Sequence, residues 1–96
     1  MGKKVLVVGV AYKPNVADTR ETPAELLIDA LEDLGAQVSW SDPVVGSWHG
    51  SESSALLGAD IAVVVTKHDV VAATDILNSA PYVFDTTGKV KGAVQL

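Results

Sequence analysis

Residues 5–23 have the sequence VLVVGVAYKPNVADTRETP, and the prediction for the whole chain starts from this stretch. It opens with an almost continuous run of apolar residues, mainly valine, which is typical of a strand covered on both faces in a parallel sheet. We therefore predict a central strand over residues 4–10. A polar loop follows, and its charged and amide side chains are Lys13, Asn15, Asp18, Arg20 and Glu21.

The helix after this loop has a complete start signal. Thr22 is a preferred N-cap residue, Pro23 suits the first helical position, and Glu25 completes a capping box. We predict a helix from Pro23 to about Leu34, ended by Gly35 as a left-handed cap. The predicted buried stripe consists of Ala24, Leu27, Leu31 and Leu34, widened by Ile28 and Ala30.

Strand-like and helix-like segments alternate along the rest of the chain. The predicted strands cover residues 37–41, 60–66 and 82–85. The predicted helices cover residues 52–57 and, with Asp69 as the cap, about 70–78. This alternation predicts a three-layer, Rossmann-like α/β/α fold with a parallel sheet of about four strands in the order 2-1-3-4. Residues 43–51 are predicted to be a loop, and residues 89–96 are ambiguous.

Composition limits the possible functions. The 96 residues are 48% hydrophobic, which is enough for one domain with a single core. The net charge of −5 argues against binding to nucleic acid or to an acidic membrane surface. No apolar run reaches the roughly 18 residues of a membrane span, so we expect a soluble, cytoplasmic chain. Because the sequence has no cysteine, it has no disulfide, thiolate metal site or cysteine nucleophile.

The loop after the predicted first strand is long for its position. It covers residues 11–21, whereas connections from strand to helix usually have two to six residues. In parallel sheets, ligands bind beyond the carboxyl ends of the strands, at the point where the strand order reverses. Lys13 and Arg20 can bind a phosphate there, with help from the helix N-terminus. The alternative is that both are solvated charges, neutralised locally by Asp18 and Glu21.

Other polar residues give weaker signals. Only Gly9 follows the first strand, so the glycine-rich dinucleotide fingerprint is absent. Asp42, which has the right type to bind a ribose, lies 33 positions after Gly9 instead of roughly 20. We therefore do not predict a self-contained NAD site. His68 follows a predicted strand and either contacts a ligand or is exposed at a helix start, while His49 is expected at the surface. Two distant histidines are a weak case for a metal site.

Two segments around the long loop resemble a family signature. They are GVAYKPNV at residues 9–16 and DTRETPA at residues 18–24, at the start of an amphipathic helix. Together they are similar to the C-terminal, UDP-binding domain of the UDP-glucose/GDP-mannose dehydrogenase family. The similarity continues with SDP at residues 41–43 and FD at residues 84–85. The first segment is closer to the branch of UDP-N-acetylhexosamine (mannosamine) dehydrogenases.

The resemblance implies a part of an NAD-dependent enzyme that oxidises the C6 alcohol of a nucleotide sugar to a carboxylate. In this family two NAD⁺ and a thioester-forming cysteine take part in the reaction, and a central domain mediates assembly into a homodimer or a larger oligomer. The NAD-binding domain, the central domain and the cysteine are absent from this chain. Residues 1–96 are thus expected to bind the UDP-sugar, to contain no catalytic residue and to be inactive alone.

The resemblance also implies roles for individual residues. Tyr12 and Lys13 correspond to a pair that contacts the substrate, with the lysine near the phosphates. Arg20 corresponds to an arginine that reaches NAD bound on the other domain. Family members have an arginine shortly after the last strand, where this sequence continues as TTGK to Lys89. Lys89 can supply a point charge at that position but no bidentate pair.

A second interpretation is a non-enzymatic Rossmann-like or receiver-like binding module. Such a module needs acidic residues at the strand ends to bind Mg²⁺ and accept a phosphoryl group. Asp42 and Asp85 are the candidates, but no adjacent acidic pair follows the first strand. Binding of Mg²⁺ compared with binding of UDP separates the two interpretations.

Overall fold

The computed structural model describes residues 2–96, and a parallel β-sheet lies at its centre. In chain order the elements are β1 (Lys4–Val8), α1 (Pro23–Asp33), β2 (Gln37–Ser41), β3 (Ser47–Trp48), β4 (Ser51–Glu52), β5 (Ile61–Val64), α2 (Ala73–Leu77), β6 (Tyr82–Asp85) and β7 (Val94–Gln95). The sheet order is β2-β1-β5-β6-β7, and all four pairings are parallel. The predicted order of the first four sheet strands is therefore confirmed.

The two faces of the sheet carry separate apolar cores. On one face, Leu6 and Val8 of β1 pack with Ile76 of α2. On the other face, Val7 of β1 packs with Ala24 of α1. Adjacent side chains of a strand point to opposite faces, so the apolar run of β1 supplies both cores. This arrangement confirms the predicted three layers.

Helix α1 begins as predicted and ends in a Schellman motif. The Thr22 side chain accepts a hydrogen bond from Ala24 N at 3.2 Å. At the other end, Ala36 N donates to Leu31 O at 3.1 Å, and Gly35 has a φ of 89°. The reciprocal half of the predicted capping box is not formed, because Glu25 instead lies 3.5 Å from His49 Nε2.

The buried stripe of α1 is shorter than predicted. Leu27, Ile28 and Leu31 pack against the core, as expected. Leu34 is 78% exposed, because it is the C-cap residue and lies beyond the last turn that covers the sheet. Ala30 is exposed as well. The helical period alone therefore overestimates how far the helix remains in contact with the sheet.

Three segments differ from the prediction. Residues 52–57 form no helix, and Glu52 is instead the last residue of an antiparallel hairpin of β3 and β4. Helix α2 begins at Ala73 and has no side-chain cap, so Asp69 does not start it. The C-terminal segment adds β7 as a fifth strand beside β6. Its connection, residues 86–93, is shorter than the dozen or more residues usual between parallel strands.

Within residues 2–96, neither helix has the length and apolar character needed to cross a membrane.

Candidate functional site

Residues 11–21, called the first loop from here on, follow the carboxyl end of β1 and contain no helix or strand. Hydrogen bonds nevertheless define their conformation. At the start, Thr66 Oγ1 donates to Ala11 O at 2.8 Å. Further along, Tyr12 N donates to Asp18 O at 2.6 Å and closes the loop on itself. The first loop is therefore an ordered structure at the edge of the sheet.

Asn15 connects the middle of the first loop to the loop after β5. Its backbone N donates to His68 Nδ1 at 2.7 Å. Its side chain makes two bonds to Asp69: Nδ2 donates to Asp69 Oδ2 at 3.1 Å, and Asp69 N donates to Asn15 Oδ1 at 2.8 Å. Asn15 has a φ of 66°, a conformation that asparagine adopts more readily than most residues. Asp69, predicted to be a helix cap, thus holds the first loop instead.

Asp42, at the carboxyl end of β2, is completely buried beneath the first loop. Its Oδ2 accepts hydrogen bonds from Val10 N at 2.9 Å and from Ala11 N at 3.2 Å. Its Oδ1 accepts from Val44 N at 3.0 Å and from Val45 N at 2.9 Å. The carboxylate therefore lies against the backbone donors of two loops. It faces these backbone donors and not a ribose.

His68 is 1% exposed, and both of its ring nitrogens are hydrogen-bonded. Because Nδ1 accepts from Asn15 N, the ring proton is on Nε2, which donates to Asp42 Oδ2 at 2.9 Å. Neither predicted role for His68, ligand contact or surface exposure, is correct. The position directly after a buried strand was the only sequence signal for this residue, and it did not reveal the partners.

The turn after β1 does not fit the pyrophosphate of NAD. Dinucleotide-binding folds present free backbone N–H groups to the phosphates at this turn. Here Gly9 N donates to Ser41 O at 2.9 Å, and the N–H groups of Val10 and Ala11 donate to Asp42. The protein's own carboxylate occupies the place of an anion. The N–H groups of this turn are therefore not free to bind a phosphate.

The exposed part of the first loop presents the side chains singled out from the sequence. Tyr12 is 53% exposed, and Lys13 is exposed directly after it. Tyr12 and Arg20 line a shallow depression of about 430 Å³, together with Asp18 and Glu21. Tyr12 and Arg20 thus share one depression, and Lys13 is exposed beside Tyr12, where its charge helps to lower the pKa of Asp18.

Arg20 is paired with Asp18 within the loop. The alternative interpretation from the sequence, local neutralisation of its charge, predicted this pairing. Its Nε and Nη2 both bind the Asp18 carboxylate, the shortest contact being 2.8 Å. The hydrogen bonds from the Arg20 side chain lower the pKa of Asp18 from 3.8 to about 2. Both groups lie at the surface, so this pair defines the orientation of the guanidinium more than it stabilises the fold.

The Asp18–Arg20 pair is expected to open only in strong acid. A depressed carboxylate pKa means that the pair is fully formed above the ordinary value of 3.8 and is lost as the pH falls through about 2. An NMR titration of the Asp18 carboxyl should therefore show a midpoint near 2. In the Arg20→Gln variant the midpoint should return toward 3.8. An unchanged midpoint in that variant would contradict the assignment of the partner.

Lys89 lies apart from this group of residues. It is exposed on the connection between β6 and β7, where its backbone N donates to Thr87 Oγ1 at 3.1 Å. Strand β5 separates β1 from β6, so the ends of these two strands lie about 10 Å apart. The structure therefore places Lys89 at the same edge of the sheet as Lys13, but on a different loop.

The two acids of the receiver-like interpretation are not a pair. Asp42 directly follows β2 and Asp85 ends β6, with two strands of the sheet between them. Asp85 is completely buried and accepts bonds from Thr87 N, Thr87 Oγ1 and Val90 N. Burial alone raises the pKa of Asp85, but these hydrogen bonds outweigh it and leave the pKa below its ordinary value. Both carboxylates hold loops in place, so the geometry does not favour a Mg²⁺-dependent phosphoacceptor.

The fold and the loops at the carboxyl edge of the sheet together define a class of protein. The chain is a Rossmann-like α/β/α domain with an exposed, partly basic loop at the switch point and no dinucleotide cradle in its first turn. Residues 6–92 match the UDP-glucose/GDP-mannose dehydrogenase family, UDP binding domain. The chain belongs to this family, as its sequence signature predicted.

Individual relatives within the family are dehydrogenases of UDP-sugars. The chain is 42% identical over 84 residues to the UDP-glucose 6-dehydrogenase AglM of Haloferax volcanii, an alignment that covers 77% of this chain and 20% of the relative. It is 43% identical over 70 residues to the UDP-N-acetyl-D-mannosamine dehydrogenase of Methanococcus vannielii, covering 69% of this chain and 16% of the relative. The chain therefore spans about a fifth, or less, of the length of these relatives.

Solved structures contain the same fold. The UDP-N-acetyl-mannosamine dehydrogenase Cap5O from S. aureus superimposes with a TM-score of 0.74 at 26% identity, over 96% of this chain and 24% of Cap5O. The NDP-N-acetyl-D-galactosaminuronic acid dehydrogenase from Methanosarcina mazei Go1 gives a TM-score of 0.73 at 27% identity, over 99% of this chain and 24% of that enzyme. In both cases the likeness covers nearly all of this chain and about a quarter of the neighbour.

Proposed function

We propose that this domain binds the UDP part of a UDP-sugar within an NAD-dependent nucleotide-sugar 6-dehydrogenase. The observation that supports the proposal most directly is the first loop, which is held rigidly from below and exposes Tyr12 and Lys13 at the switch point. On a loop whose backbone is held, an exposed lysine can neutralise a diphosphate, and the adjacent tyrosine can pack against the sugar or the uridine.

The proposed reaction converts a primary alcohol into a carboxylate. The sugar C6 alcohol, one water and two NAD⁺ give the carboxylate, two NADH and three protons, so the alcohol loses four electrons. A cysteine and most of the NAD site belong to other domains of the enzyme, because this chain has no cysteine and its first turn does not accept a pyrophosphate. The proposed substrate is UDP-glucose or a UDP-N-acetylhexosamine.

Two charged residues complete the proposal. Arg20, already oriented by Asp18, reaches from this domain toward NAD bound on the neighbouring domain. Lys89 lies on a separate loop of the same edge and contributes a point charge to the substrate, in place of an arginine. A cytoplasmic location and assembly into a homodimer or larger oligomer through the other domains belong to the same proposal.

Turnover by the full-length enzyme that contains this domain tests the proposal. The purified enzyme is given NAD⁺ and, separately, UDP-glucose, UDP-N-acetylglucosamine, UDP-N-acetylmannosamine and GDP-mannose, and NADH formation is followed. We expect turnover with at least one UDP-sugar and little with GDP-mannose. No NADH from any of the four would contradict the enzymatic function. The isolated domain is the weaker choice, because an incomplete pocket gains too little contact to offset the entropy of association.

Removal of the Lys13 charge should weaken substrate binding. We expect Lys13→Ala to raise the KM for the UDP-sugar about tenfold to a hundredfold, the range for a lost charge-assisted hydrogen bond. The thermal unfolding midpoint should hardly change, because Lys13 is exposed. The matched control is Lys3→Ala, which removes the same charge beside the amino end of β1. Equal KM values for both variants would remove Lys13 from the site.

A further inference from the structure

His68 is a buried polar side chain that joins the interior to the middle of the first loop, at Asn15. Its ring lies between two partners that are far apart in the sequence: Asp42 on the Nε2 side and Asn15 on the Nδ1 side. The ring and the Asp42 carboxylate are almost inaccessible to solvent, at 1% and 0% exposure. Such a side chain cannot contact a ligand directly, so its influence on binding must pass through its partners.

Of the two partners, only Asn15 belongs to the exposed part of the loop. The bond from Asn15 N to His68 Nδ1, at 2.7 Å, is among the shorter N–H hydrogen bonds and lies in a partly buried place. Lys13 is two residues before Asn15 and two residues after Ala11. Ala11 is itself held through its N and O atoms, by Asp42 and Thr66. The loop segment that contains Lys13 is therefore fixed on both sides.

The two sides of this segment depend on the same buried group. The Asp42 carboxylate accepts hydrogen bonds from Ala11 N and from His68 Nε2. His68 Nδ1 in turn accepts a hydrogen bond from Asn15 N. A displacement of the His68 ring thus removes the bond to Asn15 N and leaves Asn15 held by its side-chain bonds to Asp69, while Ala11 remains held by the carboxylate. Because a loop with one attachment fewer samples more conformations, its lysine would be in place for the phosphates for a smaller part of the time.

We infer that His68 is a positioning residue for the nucleotide-sugar: it holds Asn15, and through Asn15 it places Tyr12 and Lys13 for binding. The inference rests on the proposed function and adds a determinant of substrate affinity that lies beneath the binding surface. It requires the neutral tautomer with the proton on Nε2, the form that both hydrogen bonds define.

Two substitutions of His68 separate positioning from a merely structural role. The side-chain amide of glutamine reaches the place of Nε2 and can still donate to Asp42, but it offers no acceptor to Asn15 N. The shorter asparagine side chain places its oxygen near the position of Nδ1 and can still accept from Asn15 N, but it loses the donor to Asp42. Each variant therefore removes one of the two bonds and keeps the other.

The experiment measures KM and kcat for the UDP-sugar in the full-length enzyme, together with thermal unfolding. We expect His68→Gln to raise KM roughly tenfold, the factor for one hydrogen bond of ordinary net strength, with kcat within about threefold of wild type. His68→Asn should lose a similar amount of thermal stability and keep a KM close to that of the wild type. Equal KM increases in the two variants would overturn the inference, because the effect would then follow stability alone.

A double variant tests the route of the effect. If His68 acts by placing Tyr12 and Lys13, then His68→Gln raises the KM of Lys13→Ala by a smaller factor than the KM of the wild type, since only Tyr12 is left to be misplaced. Fully multiplicative effects of the two substitutions would contradict the route through Lys13. Failure of the proposed function can be told apart from failure of this inference, because the wild-type enzyme itself would then give no NADH. In that case the inference would fail as well.

Hydrogen exchange provides a readout that needs no substrate. In the wild-type enzyme the Asn15 amide should exchange slowly, although Asn15 itself is an exposed loop residue. Exchange at Asn15 should accelerate at least tenfold in His68→Gln and much less in His68→Asn. Fast exchange in the wild type would show that the bond does not persist in solution and would overturn the inference.

Discussion

Gly9→Ala is expected to lower the free energy of unfolding by about 3 kcal/mol or more, a large effect for a single added methyl group. Gly9 has a φ of +85°, and a Cβ at this position would overlap the carbonyl oxygen of Thr66 and lie 2.7 Å from its carbonyl carbon. The obstacle is backbone, so no side chain can rotate away. The ends of β1 and β5 would have to separate.

The matched control for this substitution is Gly46→Ala. Gly46 has a similar φ of +78°, but a Cβ there meets nothing within 4 Å. The control isolates the conformational penalty, about 1–2 kcal/mol for an alanine at positive φ. Urea unfolding of both variants should show the larger loss for Gly9→Ala. Equal losses would mean that the contact with Thr66 relaxes freely and that only the backbone angle matters.

The position of the contact connects this prediction to binding. Thr66 also donates from Oγ1 to Ala11 O, so a displaced Thr66 moves the beginning of the first loop. We therefore expect the Gly9→Ala enzyme to have a raised KM for the UDP-sugar even at temperatures where it remains folded. The Gly46→Ala enzyme should keep the wild-type KM, because Gly46 lies on the turn before the β3–β4 hairpin.

Asp42→Ala is expected to destabilise the domain by about 3–5 kcal/mol, which is the usual result of removing one partner from a buried, charged hydrogen-bond network. Five donors lose their acceptor: the N atoms of Val10, Ala11, Val44 and Val45, and His68 Nε2. Each buried N–H left without a partner destabilises the fold, because it has lost its hydrogen bond to water and makes none within the protein.

Asparagine cannot replace this carboxylate. Oδ2 accepts from three donors and Oδ1 from two, so an amide group directs its NH₂ at N–H groups in either orientation. We expect Asp42→Asn to lose about 2 kcal/mol or more. The control is Asp60→Asn, since the exposed Asp60 accepts a single bond, from Lys4 N at 2.9 Å. Comparable midpoints of denaturant unfolding for Asp42→Asn and Asp60→Asn would contradict the proposed importance of the buried carboxylate.

Local sequence signals predicted the boundaries of several elements. Strands β2 and β6 have the predicted boundaries, and α1 begins at Pro23 after the Thr22 cap. The strand order also followed from the sequence, because alternating strands and helices restrict a short chain to few parallel topologies. Residues 52–57 were predicted as a helix on weak grounds, a few apolar residues before a glycine. There the hairpin that ends at Glu52 and the contact of Leu56 with the core prevailed over helix propensity.

The edge of the sheet that carries the proposed binding residues was predicted only in part. Its exposed side chains, Tyr12, Lys13 and Arg20, are adjacent in the sequence, and their pattern was recognisable as a family signature. Their roles in binding remain proposals that the kinetic variants test. The support beneath them was missed, because Asp42 and His68 each looked like a candidate ligand contact at a strand end. Nothing in the local sequence distinguishes a carboxylate that faces a ligand from one that faces backbone N–H groups.

The sequence by itself determined the parallel α/β class, the start of α1, the family and the long exposed loop after β1. These features depend on periodicity, capping and a contiguous motif, all of which are local properties of the chain. Only the tertiary structure decided that Asp42 fills the turn after β1 and that His68 holds Asn15. The bond between Asp42 and Val10 joins residues 32 positions apart, and the bond between Asn15 and His68 joins residues 53 positions apart. Such partners meet because the carboxyl ends of parallel strands lie side by side in the sheet, which no local pattern records.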